Sequence, residues 1–324
     1  MNRTLAATLL ILSWVAAAVC LTSCGEAPPS RSPAVAPPET VRVSGAYALY
    51  PLMLRWAKEY QKLDPGVQVG VWSGGSGKGA IDALDGLVDI GMISRETTAE
   101  EQTQGAFWVP VATEAVVMVA NASNPVAETL TRQGLTRDQC ADLWFRATDV
   151  TWGSLVSRQD VAETVRVYAR ADRCGAAEIW AQYLGKREDD LVGAAVYGDP
   201  RMIEALQRDR LGIGFSNLRY AYDADTDRPV RDLLPVPIDM DGDGGIAESE
   251  SFYETHTDMM RAIAAEAYPA PLARDLNLLT KGKPEGLTQE FVLWVLTEGQ
   301  EHVTEEGYVE LSQPKLEAAV DKVR

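Results

Sequence analysis

Histidine is almost missing from these 324 residues: His256 and His302 are the only two. They stand far apart on segments of helical pattern, with no HExxH spacing and no cysteine pair beside either. The chain therefore offers no histidine-built metal or proton-transfer centre. Basic residues are also short, 30 Lys and Arg against 47 Asp and Glu, for a net charge of -17. A surface that acidic repels polyanions and argues against nucleic acid or anionic lipid as a partner. Long apolar runs are limited to one, "LAATLLILSWVAAAVCL" near the start, and nothing later is long enough to span a bilayer. Of four cysteines, Cys20 falls in that run and Cys24 follows it, which leaves Cys140 and Cys174. These two lie in separate segments, and their distance in space cannot be read from the sequence.

What is present begins with an address. Arg3, the apolar run and a small-residue exit read as a secretory signal over residues 1–23. Leu21-Thr22-Ser23-Cys24 resembles the lipobox of bacterial lipoproteins, which implies cleavage before Cys24 and acylation of its thiol. Residues 24–40 are Pro-rich and suit an extended spacer. Arg3 is the only charge in residues 1–23, so the mature chain carries -18. The expected product is an extracytoplasmic, membrane-anchored lipoprotein with no spanning segment.

The remaining 280 or so residues, from near Val41, are too many for one small core and suffice for two lobes. "PLMLRWAKEYQKL" places Leu52, Trp56, Tyr60 and Leu63 on one helical face. Val67, Val69 and Val71 then alternate as a strand, a Gly-rich turn leads into "AIDALDGL", and "VDIGMIS" reads as a buried strand. Strand and helix in alternation predict an α/β fold with parallel pairing. The Val-rich run "VPVATEAVVMVAN" suits a strand that carries the chain to a second lobe, expected over 119–223. The first lobe is expected over 41–118 plus 224–324, with the late helical stretches "SFYETHTDMMRAIAAEAY" and "LTQEFVLWVLTEGQEHVTEEGY" returning to it.

Three turns have the character of anion sites. In "SGAYALYP" the residues Gly45, Ala46, Tyr47 and Ala48 lie between a strand and the first helix. In "GGSGKGA" Gly75, Ser76 and Gly77 open another helix, although Gly79 after Lys78 excludes a Walker A loop. In "ARADRCGAAEIW" Arg170 stands just ahead of Cys174, Gly175 and Ala176. Such turns present free N–H groups and the positive end of a helix dipole. "ISRE" adds Ser94 and Arg95 at a strand end. Arg170 and Asp172 are spaced so that they can also pair with each other on the surface. Cys174 beside arginines has the setting of an activated thiol, but no histidine base is assignable, and the chain is read as a binder, not an enzyme.

The order "VSGAYALYPLMLRWAKEYQK", "GGSGKGAIDALDGLVDIGMISRE", "YARADRCGAAEIWAQYLG", "IGFSN", "YPAPLARDLNLLTKGKP" and "GYVELS" resembles the PstS-like phosphate-binding components of bacterial ABC importers, over nearly all the mature chain. The resemblance implies a type II periplasmic binding protein, two-lobed with a hinge and an interlobe cleft. It further implies a monomer that captures phosphate or a similar small oxyanion and delivers it to an ABC permease. Ser76, Ser94, Arg95 and Arg170 match the family pattern; Ala46, Ala48, Cys174 and Ala176 stand where the family usually has hydroxyls. Each lost bond to a charged ligand costs about 1.5 to 3 kcal/mol, which shifts the load to backbone N–H groups and cations. The chain resembles a subset of the family that shares GAxALYP and CGAAE. A hinged signalling or adhesion module with another small ligand, or none, is the second reading.

One motif lies apart. In "DMDGDGGIAESE" Asp239, Asp241, Asp243, Gly244 and Glu250 satisfy the calcium-loop pattern, with the Gly245 carbonyl and a water at Ala247 as further ligands. Pro235 and Pro237 exclude an entering helix, so a structural Ca2+ is expected in place of a sensor hand. The loop is expected to staple the returning chain to the first lobe.

Overall fold

The computed structural model describes residues 39–146 and 150–324. The expected signal, Cys24 and nearly all of the spacer lie outside the described residues. The strands are β1 (Glu39–Gly45), β2 (Val67–Ser73), β3 (Ile90–Ile93), β4 (Ala106–Asn121), β5 (Leu135–Thr136), β6 (Arg166–Arg170), β7 (Ala194–Val196), β8 (Gly212–Asn217), β9 (Leu233–Pro235), β10 (Ile238–Asp239) and β11 (Ala273–Lys281). β1 thus starts at Glu39, inside the stretch expected as spacer.

Pro51 sits in the first turn of the helix Tyr50–Leu63, where its missing N–H costs nothing. Leu52, Trp56 and Tyr60 are buried as the periodicity predicts, whereas Leu63, at the last position of the helix, is exposed. The next helix is Ser76–Leu84, four residues longer at its start than "AIDALDGL" suggests. Gly79 therefore lies within the helix and against the sheet: a β-carbon there would meet the Gly45 Cα at 2.7 Å and the Ser44 carbonyl at 2.9 Å. Glycine permits that close approach.

β2, β1 and β3 pair in parallel, and β11 joins antiparallel to both β3 and β4. Beyond β4 the sheet continues through β8, β6 and β7, with β9 also on β4 and a small β10–β5 pair apart from it. Two cores result. Val43, Trp56, Met92, Val111, Leu278 and Phe291 belong to one, and Val117, Trp144, Trp180, Phe215, Met259 and Tyr268 to the other. β4 gives Val109, Val111 and Ala112 to the first core and Ala115–Ala120 to the second, so it carries the chain between lobes. β11 carries it back, following Leu272 in the second core with Leu276 and Leu278 in the first. Between these two strands the register slips, Leu276 facing Ala112 and Asn277 facing Pro110. Proline cannot donate to a ladder, and a bulge beside it bends the strand pair where the lobes meet.

The return occurs later than the expected boundary at 224. Leu233, Val236, Ile238, Phe252, Met259, Ile263 and Tyr268 all lie in the second core. β9 pairs with Val119–Asn121, and β10 with Leu135–Thr136, both in the second lobe. The helix His256–Ala264 and the acidic loop therefore belong to the second lobe, and only the later stretch, including the helix Gly286–Leu296, packs in the first. The amphipathic pattern of the earlier helix showed that one face is buried without showing against what.

Candidate functional site

The carboxyl ends of β1, β2, β3, β6 and β8 face the cleft between the lobes, the usual place for a ligand in open α/β sheets. The first turn is held from behind. Gly45, with φ 136°, accepts at its carbonyl from the N–H groups of Gly74 (2.8 Å) and Gly75 (3.0 Å). Ala46 donates its N–H to the Met92 carbonyl (2.8 Å). The carbonyls of Tyr47 and Ala48 accept from the hydroxyls of Tyr220 (3.0 Å) and Tyr308 (2.7 Å). Ala46 and Ala48 are buried and offer the cleft no hydroxyl. The Tyr47 ring covers the Arg170 guanidinium at 5.6 Å and meets Tyr197 of the other lobe edge-on at 6.4 Å.

Ser76 and Ser94 meet on the first-lobe wall. The Ser94 N–H donates to the Ser76 Oγ (3.0 Å), and the two hydroxyls are 3.1 Å apart, both buried. Lys78 turns along its own helix to Asp82, which also accepts from Ser44 Oγ (2.6 Å). The second-lobe helix Gly175–Tyr183 comes directly against this wall: a β-carbon on Gly175 would collide with the Ser94 carbonyl and hydroxyl. Across the same seam a β-carbon on Gly75 would lie 2.8 Å from the Arg173 carbonyl and 3.4 Å from an Asp172 carboxylate oxygen, and one on Gly77 3.5 Å from Arg173 Cβ. The three predicted turns lie close together, and the N-termini of two helices, at Ser76 and Gly175, meet across the seam.

The arginines behave otherwise than their spacing suggests. Arg170 is fully buried and pairs with two carboxylates: Nε and Nη2 donate to Asp172 (2.9 and 2.6 Å), and Nη1 to Asp199 (2.8 Å). The Arg170–Asp172 pair is thus buried, not a surface pair. Asp199 also accepts from Ser216 Oγ (3.0 Å) and from the N–H (2.9 Å) and Nδ2 (2.8 Å) of Asn217. Arg95 forks onto Glu101 (3.0 and 2.6 Å) and reaches Glu178 of the second lobe at 3.2 Å. It ties the lobes together beside a cavity of about 400 Å³ that Gly77, Cys174 and Arg173 also line. Cys174 caps its helix, and burial pushes its thiol up to about 12 against the pull of Arg170, so it is no activated nucleophile. Cys140 and Cys174 are both free and buried.

Sequence reasoning missed four residues beneath the seam. Asp199 sits in "GDP", a glycine followed by a helix with proline in its first turn, which is a readable signal of the same kind as the other turns. Glu114 and Arg274 lie within strands and Asn217 ends one; "IGFSN" and "YPAPLARDLNLLTKGKP" contain Asn217 and Arg274, but no turn singles them out. Arg274 Nε donates to the Ser94 carbonyl (3.1 Å) and Nη2 to Asn217 Oδ1. Glu114, its register partner on β4, stands 3.8 Å from it and accepts the Arg219 N–H at 3.0 Å. Burial pushes the Glu114 carboxyl up to about 8, with Arg274 opposing.

In the acidic loop, carboxylate oxygens of Asp239, Asp241 and Asp243 lie within 4.8 Å of one another. Asp239 accepts from the N–H groups of Gly242 (2.7 Å) and Gly244 (3.0 Å), the latter with φ 84°. Gly245 donates its N–H to Asp243 (2.9 Å). Glu250 does not close on the three aspartates: its oxygens accept from the Met240 N–H (2.7 Å) and the Ala247 N–H (3.0 Å). Backbone N–H groups within reach of the short 3-10 turn Glu248–Glu250 take up its charge. The Ile246 N–H bonds the Arg132 carbonyl (2.8 Å), so the loop is stapled to the second lobe, contrary to the expectation of the first.

Comparison with known proteins gives three findings. A family model, the PBP superfamily domain, matches residues 30–298. The chain is 25% identical to the phosphate-binding protein PstS of Pseudomonas aeruginosa over 100% of its own length and 99% of that protein's. It is 32% identical to phosphate-binding protein PstS 2 of Streptococcus agalactiae over 93 residues, 29% of this chain and 32% of that relative. Among solved structures it superposes on a substrate-binding protein assigned to phosphate ABC transport, from Clostridium perfringens with phosphate bound. That match has TM-score 0.68, 20% identity, and coverage of 85% of this chain and 100% of the other. An ABC-type phosphate transport receptor from Vibrio cholerae matches with TM-score 0.60 and 19% identity, over 84% and 100% of the two chains. The α/β, two-lobed fold of the periplasmic binding proteins is thereby shared.

Proposed function

This chain belongs to the PBP superfamily, and from that premise we propose that it is a solute-binding lipoprotein that holds phosphate or a similar small oxyanion between its lobes and presents it to an ABC permease. The observation that carries the reading is the meeting of two helix N-termini, at Ser76 and Gly175, across one seam beside the Ser94 hydroxyl. Two positive helix ends and two serine hydroxyls there replace much of what Ala46, Ala48, Cys174 and Ala176 withhold. Opening at the β4–β11 hinge admits the ligand, and closure buries it. Calorimetry on the delipidated protein with phosphate, sulfate, molybdate and simple carboxylates tests this; absence of heat with every oxyanion would sink it.

A second reading, a hinged sensor or adhesion module with a different small ligand or none, draws on the two carboxylates that already occupy Arg170. Small-angle scattering separates the two, since a receptor contracts on adding its oxyanion. Lipid anchoring rests on Cys24 and the run before it; Cys24→Ser moves the protein from the membrane to the soluble fraction. Among the described residues no helix is long and apolar enough to cross a membrane. The monomeric state is checked by sedimentation.

The loop 239–250 is proposed as a structural calcium site. The alternate spacing of Asp239, Asp241 and Asp243 supports it, as does the Gly244 N–H folded back onto Asp239. Glu250 would have to exchange its backbone partners for the ion.

A further inference from the structure

Arg170, the cation that the sequence pattern nominates, already faces two carboxylates. Each of its three nitrogens is engaged with Asp172 or Asp199, and two carboxylates around one guanidinium leave a net negative cluster. Arg274 is in the opposite state. Its side chain is buried, its Nη1 finds no partner among the described residues, and its only carboxylate neighbour at ion-pair range, Glu114, is 3.8 Å away. Glu114 Oε2, the oxygen at 3.8 Å, is likewise buried and accepts no hydrogen bond from the described residues. A buried cation without a close anion is costly, and it persists where a further anion offsets it.

The position of Arg274 identifies that anion's place. Its Nε holds the Ser94 carbonyl, the same carbonyl that Gly175 abuts, and its Nη2 holds Asn217 at the end of β8. Asp199 and Cys174 are within its electrostatic reach. Arg274 thus underlies the seam where the two helix N-termini meet, on one of the two strands that join the lobes. We infer that Arg274 is a further cation that contacts the captured anion, through its unpartnered Nη1, while Arg170 also knits Asp172 and Asp199 into the second-lobe wall. This rests on the oxyanion reading above and adds to it a specificity-determining residue outside the three strand-to-helix turns.

Two measurements on the full mature protein test it. In calorimetry with inorganic phosphate, Arg274→Gln is expected to lower affinity about tenfold or more, as loss of a charge-assisted bond does. Arg274→Lys, which keeps the charge without the fork, is expected to fall between. A folded Arg274→Gln protein with unchanged affinity overturns the inference. Crystals of the wild-type protein soaked in bromide give a readout that needs no variant to fold. Anomalous density within hydrogen-bonding distance of Arg274 supports the assignment, and its absence there overturns it. If phosphate gives no heat yet bromide sits on Arg274, the phosphate reading fails and the inference stands.

Discussion

The acidic loop and the interlobe seam concentrate charge in opposite ways. In the loop, twelve consecutive residues supply all the carboxylates, and Asp241 and Asp243 remain exposed to water. In the seam, Glu114, Asp172, Asp199, Arg170 and Arg274 arrive from four separate segments, β4, the end of β6 with its turn, the helix start at Asp199 and β11, and their side chains are all buried. A local site can be rich in like charge because water screens it until an ion arrives. A buried site must balance its charges from its own chain, and here the balance uses up the most conspicuous arginine.

The largest effect that would break this comparison is expected from Asp199→Ala. It strands Arg170 Nη1, the Ser216 hydroxyl and Asn217 in a dry interior, at about 3–5 kcal/mol by the cost of halving a buried ion pair. Denaturant unfolding measures this, and a loss no larger than that of an exposed pair would show the seam to be wetter than it looks. Calcium comes next. At a hundredfold excess over its dissociation constant it should add about 2.7 kcal/mol to stability, read as a rise in melting temperature that EDTA reverses. Asp241→Ala should abolish that rise while changing the calcium-free protein little, since exposed substitutions sit within about 0.5 kcal/mol. A melting temperature indifferent to calcium and chelator removes the metal site.

Gly175→Ala sharpens the comparison from the ligand side. Its methyl group would collide with Ser94 where the lobes meet in this arrangement, so phosphate affinity should drop by about tenfold, worth about 1.4 kcal/mol. Unaltered affinity would mean that the lobes do not close along this seam. The smallest effect concerns pH. Glu114 faces Arg274 and the Arg219 N–H, with Asp199 and the Arg219 side chain also in reach. Its carboxyl is raised to about 8, so the stability it contributes is complete below the ordinary carboxylate range and is lost as pH rises through about 8. Above that value an ionised Glu114 also competes for Arg274. Phosphate affinity should therefore weaken by less than about tenfold between about pH 7 and pH 9, and Glu114→Gln should flatten the slope. An equal slope in the variant would assign the titration elsewhere.

Much of this was legible beforehand where the signal is local. The helix Tyr50–Leu63, the alternation of β2 and the three strand-to-helix turns follow from period and turn chemistry, and the structure places those turns together. The placement of residues 233–272 was not legible, because an amphipathic helix such as His256–Ala264 shows that it is covered without showing by which lobe. Arg95 matched its motif and still turned to Glu101, whose capping-box position three residues after Thr98 put a carboxylate within its reach.

By itself, then, the sequence determined the elements, the α/β alternation, the oxyanion-like turns and the order of carboxylates in the loop, since each depends on neighbours within a dozen residues. Only the tertiary structure decided which charges are spent and which are free. Arg170 and Arg274 lie far apart in the chain, and the first has every guanidinium nitrogen bonded to a carboxylate while the second keeps an unpartnered Nη1. That difference is set by which carboxylates the strand ends bring within hydrogen-bonding distance, and no local pattern encodes it.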